Sequence, residues 1–182
     1  EPVDCTHWQT DADARRLAHH VFDAGELEPQ VAAPHSPANA ADARGYEPTP
    51  VDVAYIGACT GAKLTDLRMA ASVLRGRDVS SDVRLVVAPA SRKDQEQAEV
   101  EGIMGIFEDA GAELLPNACG ICAGYGAGRL EADTTCISST ARNFKGRMGD
   151  LTSRVYLASP YTVAASAVAG RIIDPREIME TS

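Results

Sequence analysis

An α/β domain is what this sequence predicts: three layers, α/β/α, around a mostly parallel sheet, with an extended proline-rich N-terminal arm. Three observations carry that expectation. Apolar, β-branched runs of strand length alternate with stretches of helix periodicity, which is the pattern of a parallel sheet covered on both faces. The 182 residues are 45% hydrophobic and 24% charged, enough to bury a core in one domain. Six of the ten prolines fall within residues 1–50, together with all four histidines, so the opening differs from the rest.

Along the chain, Asp11–Phe22 reads as a short helix, because Ala14, Leu17, Ala18, Val21 and Phe22 can share one face. Prolines 29, 34, 37, 48 and 50 then disfavour helix and remove ladder donors, so 29–50 reads as extended chain wrapping a surface. The expected division is therefore an arm over 1–50 and an α/β domain over 51–182. Val51–Gly57 is the first strand. Leu64–Leu74 is a helix through Leu67, Ala70, Ala71 and Leu74, with Thr65 as a cap and Gly76 as the stop. Val83–Ala88 is a strand ending at Pro89. Arg92–Ala110 reads as one long amphipathic helix whose core side is Ala98, Val100, Ile103, Ile106 and Phe107. Glu113–Leu115, Thr134–Ser138 and Val155–Ala158 complete the strands. Tyr161–Val168 is the last helix, entered through Pro160.

Seventeen basic against 26 acidic residues give a net charge of −9. Such a surface repels phosphate backbones and anionic lipid, so neither nucleic acid nor a membrane is an expected partner. The most apolar stretch, Val155–Gly170, is broken by Ser159, Pro160, Thr162 and Ser166 and is too short to span a bilayer. Five cysteines without regular spacing argue against a secreted disulfide framework, and a cytoplasmic setting is expected.

Ligands in open α/β sheets bind beyond the carboxyl ends of the strands. Three such loops carry chemistry: Gly57-Ala58-Cys59-Thr60-Gly61, Pro116 to Gly124 with Cys119 and Cys122, and Ser139 to Arg147 with Arg142 and Arg147. The CxxC pair suits a redox dithiol, half of a zinc site or two ligands of a larger centre. Cys59 makes a third thiol if the topology brings it there. A structural zinc wants four ligands and is closed. Three thiolates on a four-iron, four-sulfur cube leave one iron open to act as a Lewis acid. Cys136 lies inside a strand and reads as core, Cys5 is unassigned, and the histidines read as structural or surface groups. Arg142 and Arg147 are either a solvated basic turn or a pair of guanidinium forks for carboxylates.

Ile56-Gly57-Ala58-Cys59-Thr60, Asn117 to Gly124 and Arg142-Asn143-Phe144-Lys145-Gly146-Arg147 resemble three signatures of the aconitase superfamily, in the right order. The likeness is greatest to the iron–sulfur domain of 3-isopropylmalate dehydratase large subunits and runs from about Asp11 to Arg176. It implies that Cys59, Cys119 and Cys122 bind a 4Fe-4S cluster and that Arg142 and Arg147 bind substrate. It implies a hydro-lyase, a dehydratase or isomerase acting on a hydroxy di- or tricarboxylic acid of the isopropylmalate kind. It also implies partners: the remaining aconitase-type domains, and a small swivel-domain subunit that carries the base. No catalytic proton-transfer residue is assigned to this chain. The alternatives are a non-catalytic metal or redox module and a structural subunit without a cluster. Gly61 and Ala141 stand where the family usually has asparagine.

Overall fold

The computed structural model of the chain describes residues 8–126 and 128–179; Cys5 lies outside them. Five strands run parallel: β3 (Val53–Gly57), β4 (Arg84–Ala88), β5 (Glu113–Leu114), β6 (Thr135–Ser138) and β7 (Arg154–Ala158). Two short strands, β1 (Gln30–Ala32) and β2 (Ala40–Asp42), form an antiparallel hairpin added to the β7 edge. The sheet order is β2-β1-β7-β6-β3-β4-β5. From β3 the chain proceeds outward through β4 to β5, then returns to place β6 on the other side of β3. The strand order therefore reverses between β3 and β6, which is where the crevice of such a sheet opens.

The helices are α1 (Ala58–Gly61), α2 (Leu64–Leu74), α3 (Arg92–Val100), α4 (Ile103–Asp109), α5 (Pro160–Ala169) and α6 (Arg176–Met179). Alternation along the strands divides the core in two. Ala54 and Ile56 of β3 point to the face where α2, α4 and α5 contribute Leu67, Leu74, Phe107, Val163 and Ala164. Val53 and Tyr55 point the other way, toward Ile121, Cys122, Leu130 and Met148. That second face is covered by the long excursion between β5 and β7, whose residues 121–123 form a single 3₁₀ turn.

Helix ends follow their local chemistry. The Lys63 amide, ahead of α2, donates to the Asp66 carboxylate at 3.0 Å, so Asp66 rather than Thr65 caps the helix. Gly76, left-handed at φ 69°, follows the last turn as expected. Ser159 Oγ caps α5 by accepting from the Thr162 amide at 3.2 Å, with Pro160 in the first turn.

Two expectations are corrected. Residues 11–22 form no helix, and Leu17, Val21 and Phe22 stand exposed. The apolar stripe has nothing among the described residues to bury it, and so short a helix is marginal without packing. The single helix expected over Arg92–Ala110 is two, because Gly102 turns left-handed at φ 71° and starts α4 on a new axis. Val100, expected in the core, is exposed, because two residues on from buried Ala98 it lies on the opposite side of α3. Residues 30–32 and 40–42 also do more than wrap the surface: Val31 is fully buried, and Pro34 and Pro37 sit in the turn between the strands, where no ladder donor is needed. No helix of the described residues is long and apolar enough to cross a membrane.

Candidate active site at the sheet crevice

The first wall is the end of β3. Gly57 is fully extended, and a Cβ there would lie 2.2 Å from Cζ of the Tyr55 ring, which crosses it. Ala58 follows in the left-handed region at φ 67°, an uncommon and costly conformation for a residue with a side chain. That reversal turns the strand at once into α1 and sets Cys59 and Thr60 at the rim. Ser139, just beyond β6, locks the turn: its Oγ accepts from the Gly57 amide at 3.0 Å and donates to the Gly61 carbonyl at 2.8 Å. The two strand ends are so close that a Cβ on Gly61 would stand 1.9 Å from the Ser139 carbonyl oxygen.

The second wall follows β5. Asn117 Nδ2 donates to the Pro89 carbonyl at 3.2 Å and ties this loop to the end of β4. The Cys119 carbonyl accepts from the Ala123 amide at 3.1 Å, winding the chain so that Cys122 turns inward while Cys119 stays exposed. Left-handed Gly124, at φ 74°, ends the turn. The third wall is the loop after β6. Asn143 is buried and donates through Nδ2 to the carbonyls of Ala33 at 2.9 Å and Val155 at 3.1 Å, anchoring the loop to β1 and β7. Its neighbours Arg142 and Arg147 remain free to reach outward, and Arg147 lies 5.5 Å from the Phe144 ring centroid.

These walls enclose a pocket of about 240 Å³ lined by Ala58, Cys59, Thr60, Cys119, Cys122, Thr140, Ala141, Arg142 and Arg147. All five residues singled out from the sequence thus line one cavity. Cys136 is buried within β6 and does not line it. A larger hollow of about 450 Å³, lined by residues 129–132 and 149–151 in the segments that lead into β6 and β7, has no cysteine in its described lining.

The electrostatics agree with that convergence. Burial pushes the Cys122 thiol up to about 11; Cys119 adds to the rise by charge and hydrogen bonding, Cys59 adds less, and Arg147 opposes it. Burial also raises the Tyr55 phenol, with Cys122 and then Cys119 contributing. Neither Arg142 nor Arg147 forms an ion pair with any carboxylate among the described residues. Free guanidinium forks at a cavity mouth suit an incoming carboxylate. Among the described residues, the lining holds no histidine, aspartate or glutamate, and its hydroxyls, Thr60 and Thr140, are too weakly acidic to serve as a base unaided.

Among the described residues, no three histidine, cysteine or acidic side chains are grouped to hold a single metal ion. A four-iron cube makes no such demand, since each thiolate binds a different iron. The soft, all-sulfur donor set fits that group, as does the open space beside Gly120, where an added Cβ would touch nothing within 4 Å. The five cysteine and arginine positions picked out from the sequence do meet here, and Ser139 makes the strand-end hydrogen bonds expected of its Ser-Ser-Thr run, whereas sequence reasoning missed Tyr55 beside Gly57 and the anchoring role of Asn143. Tyr55 sits in a strand pattern, where only its position next but one to Gly57 hints at the cavity.

A family profile described as "Aconitase family (aconitate hydratase)" matches residues 39–170. The chain is 45% identical over 168 residues to the 3-isopropylmalate dehydratase large subunit 1 of Methanopyrus kandleri, covering 92% of this chain and 40% of that protein. It is 49% identical over 157 residues to the 3-isopropylmalate dehydratase large subunit of Picrophilus torridus, covering 86% and 38%. A probable methanogen homoaconitase large subunit of Methanosarcina mazei is 47% identical over 169 residues, covering 93% and 42%. The chain spans about two fifths of the length of these relatives. With the profile spanning most of its length, the chain belongs to the aconitase family.

Proposed function

We propose that this chain is the cluster-bearing domain of an iron–sulfur hydro-lyase acting on a hydroxy di- or tricarboxylic acid, with an isopropylmalate-like acid as the leading substrate. The observation that carries the reading is the meeting of Cys59, Cys119 and Cys122 with the unpaired Arg142 and Arg147 in one cavity at the strand-order reversal. The names of the relatives supply the substrate class. Cys59, Cys119 and Cys122 would hold a 4Fe-4S cluster. When bound, the cluster supplies a Lewis-acidic iron without a protein ligand, which makes a substrate hydroxyl a better leaving group.

The chain's own residues orient the substrate. Arg142 and Arg147 receive carboxylates as bidentate forks, and the Asn143 anchor keeps both arginines on one short loop. Thr60 and Thr140 offer hydroxyl donors at the rim. Among the described residues the cavity offers no base, so we assign the α-proton to a group on another domain or subunit, in keeping with the chain's two-fifths share of its relatives' length. The remaining aconitase-type domains and a swivel-domain subunit are the proposed partners, and the division into an arm over 1–50 and a domain over 51–182 is proposed with them.

Anaerobic reconstitution with ferrous iron and sulfide tests this. The expected product is brown and oxygen-labile, with about four irons per chain. Replacing Cys59, Cys119 or Cys122 by serine should lower the iron content, whereas Cys136→Ser should not. A colourless protein binding one zinc would overturn the reading in favour of a non-catalytic metal module.

A further inference from the structure

We infer that the Tyr55 hydroxyl donates a hydrogen bond to a sulfur of the bound cluster and so tunes its reduction potential. The inference rests on the reading that Cys59, Cys119 and Cys122 hold a cluster. Its own ground is an orphan: Tyr55 is wholly buried, and among the described residues its hydroxyl has no hydrogen-bond partner. A buried phenol left unpaired is destabilising, and a phenylalanine of nearly the same shape would avoid that cost.

The direction of the side chain says what the partner is. Tyr55 leaves β3 on the face away from the helices and packs in the same cluster as Ala58 and Cys122. Its ring lies against Gly57, where a Cβ would come within 2.5 Å of the hydroxyl oxygen, so the phenol tip sits beside the strand end that turns into Cys59. Cys122 and Cys119 are near enough to influence its ionisation. The phenol is thus buried in the same packing cluster as Cys122, with a proton to donate. Neutral thiols are weak acceptors, whereas the sulfurs of a cluster carry negative charge and accept strongly. A hydrogen bond to cluster sulfur stabilises the reduced state, which raises the potential.

The test uses the full-length polypeptide that carries this chain, loaded anaerobically with iron and sulfide, as wild type and as Tyr55→Phe. Both should bind the same iron and sulfide. The variant's midpoint potential should shift negative. The shift of its iron–sulfur stretching bands between H2O and D2O, read by resonance Raman, should be smaller than in wild type. Equal midpoints and equal isotope shifts in two fully loaded proteins would overturn the inference alone. A wild type that takes up no iron and sulfide would overturn the site reading and the inference with it. A Tyr55→Phe chain that fails to fold would contradict the orphan state of the hydroxyl and overturn the inference as well.

Discussion

At the scale of single residues, steric closeness explains Gly61 better than flexibility does. Its backbone lies in α1, yet a Cβ would press to 1.9 Å from the Ser139 carbonyl oxygen. The obstruction is backbone, so it does not rotate away. Gly61→Ala should therefore destabilise the domain by about 2 kcal/mol or more, the range of core overpacking, and urea unfolding would read it. A midpoint unchanged from wild type would show that the β3 and β6 ends separate freely. Arg147 invites a different test, since lysine keeps its charge but loses the fork. In the assembled enzyme, Arg147→Lys should raise KM or lower kcat/KM about tenfold or more with iron content unchanged. Full activity in that variant would remove Arg147 from substrate binding.

At the scale of elements, α2 and the end of α3 are joined by one bidentate pair, Arg68 to Glu101, at 2.7 and 2.6 Å. Hydrogen bonding from Arg68 first, and from Gln97 second, lowers the Glu101 carboxyl from its ordinary 4.5 to about 2. A depressed carboxyl adds stability that is present above the unfolded value and lost as pH falls through the folded one. The contribution should thus fade between about pH 4.5 and 2. Glu101→Gln should flatten the stability curve across that window, read as unfolding midpoint against pH. Salt should weaken the difference, because the pair is solvated. Parallel curves for the two proteins would deny the pair its role. The neighbouring break makes a second prediction. Gly102 is left-handed at φ 71° with open space around it. Gly102→Ala should therefore cost only the backbone strain, about 1–2 kcal/mol, without steric damage.

At the scale of the whole molecule, the cavity holds two guanidinium groups and three thiols, and among the described residues no histidine, aspartate or glutamate lines it. The expected outcome is that residues 1–182, loaded with cluster, do not turn over unsaturated di- or tricarboxylates alone. Activity should appear on adding the remaining domains. Turnover by the isolated chain above about 1 per second, an ordinary enzymatic rate, would overturn the assignment of the base to another domain.

What could be read from the sequence is what chain neighbours decide. Strand and helix periods placed β3, α2, β4, β6, β7 and α5 nearly to the residue. The loops after β3, β5 and β6 announced their cysteines and arginines by residue type and spacing. Local pattern failed where distant partners choose the outcome. Asp11–Phe22 has the stripe of a helix but no surface to bury it, and the three-residue strands β1 and β2 are too short to show a period. Nothing along the chain says that β6 returns beside β3. Yet that placement makes Ser139 lock the Cys59 turn and brings Arg142 and Arg147 over Cys122. The inward aim of Tyr55 likewise depends on which face of the sheet the helices leave to the loop. Strand order and facing are set by burial summed over the whole core, so tertiary structure alone decided how the site was assembled.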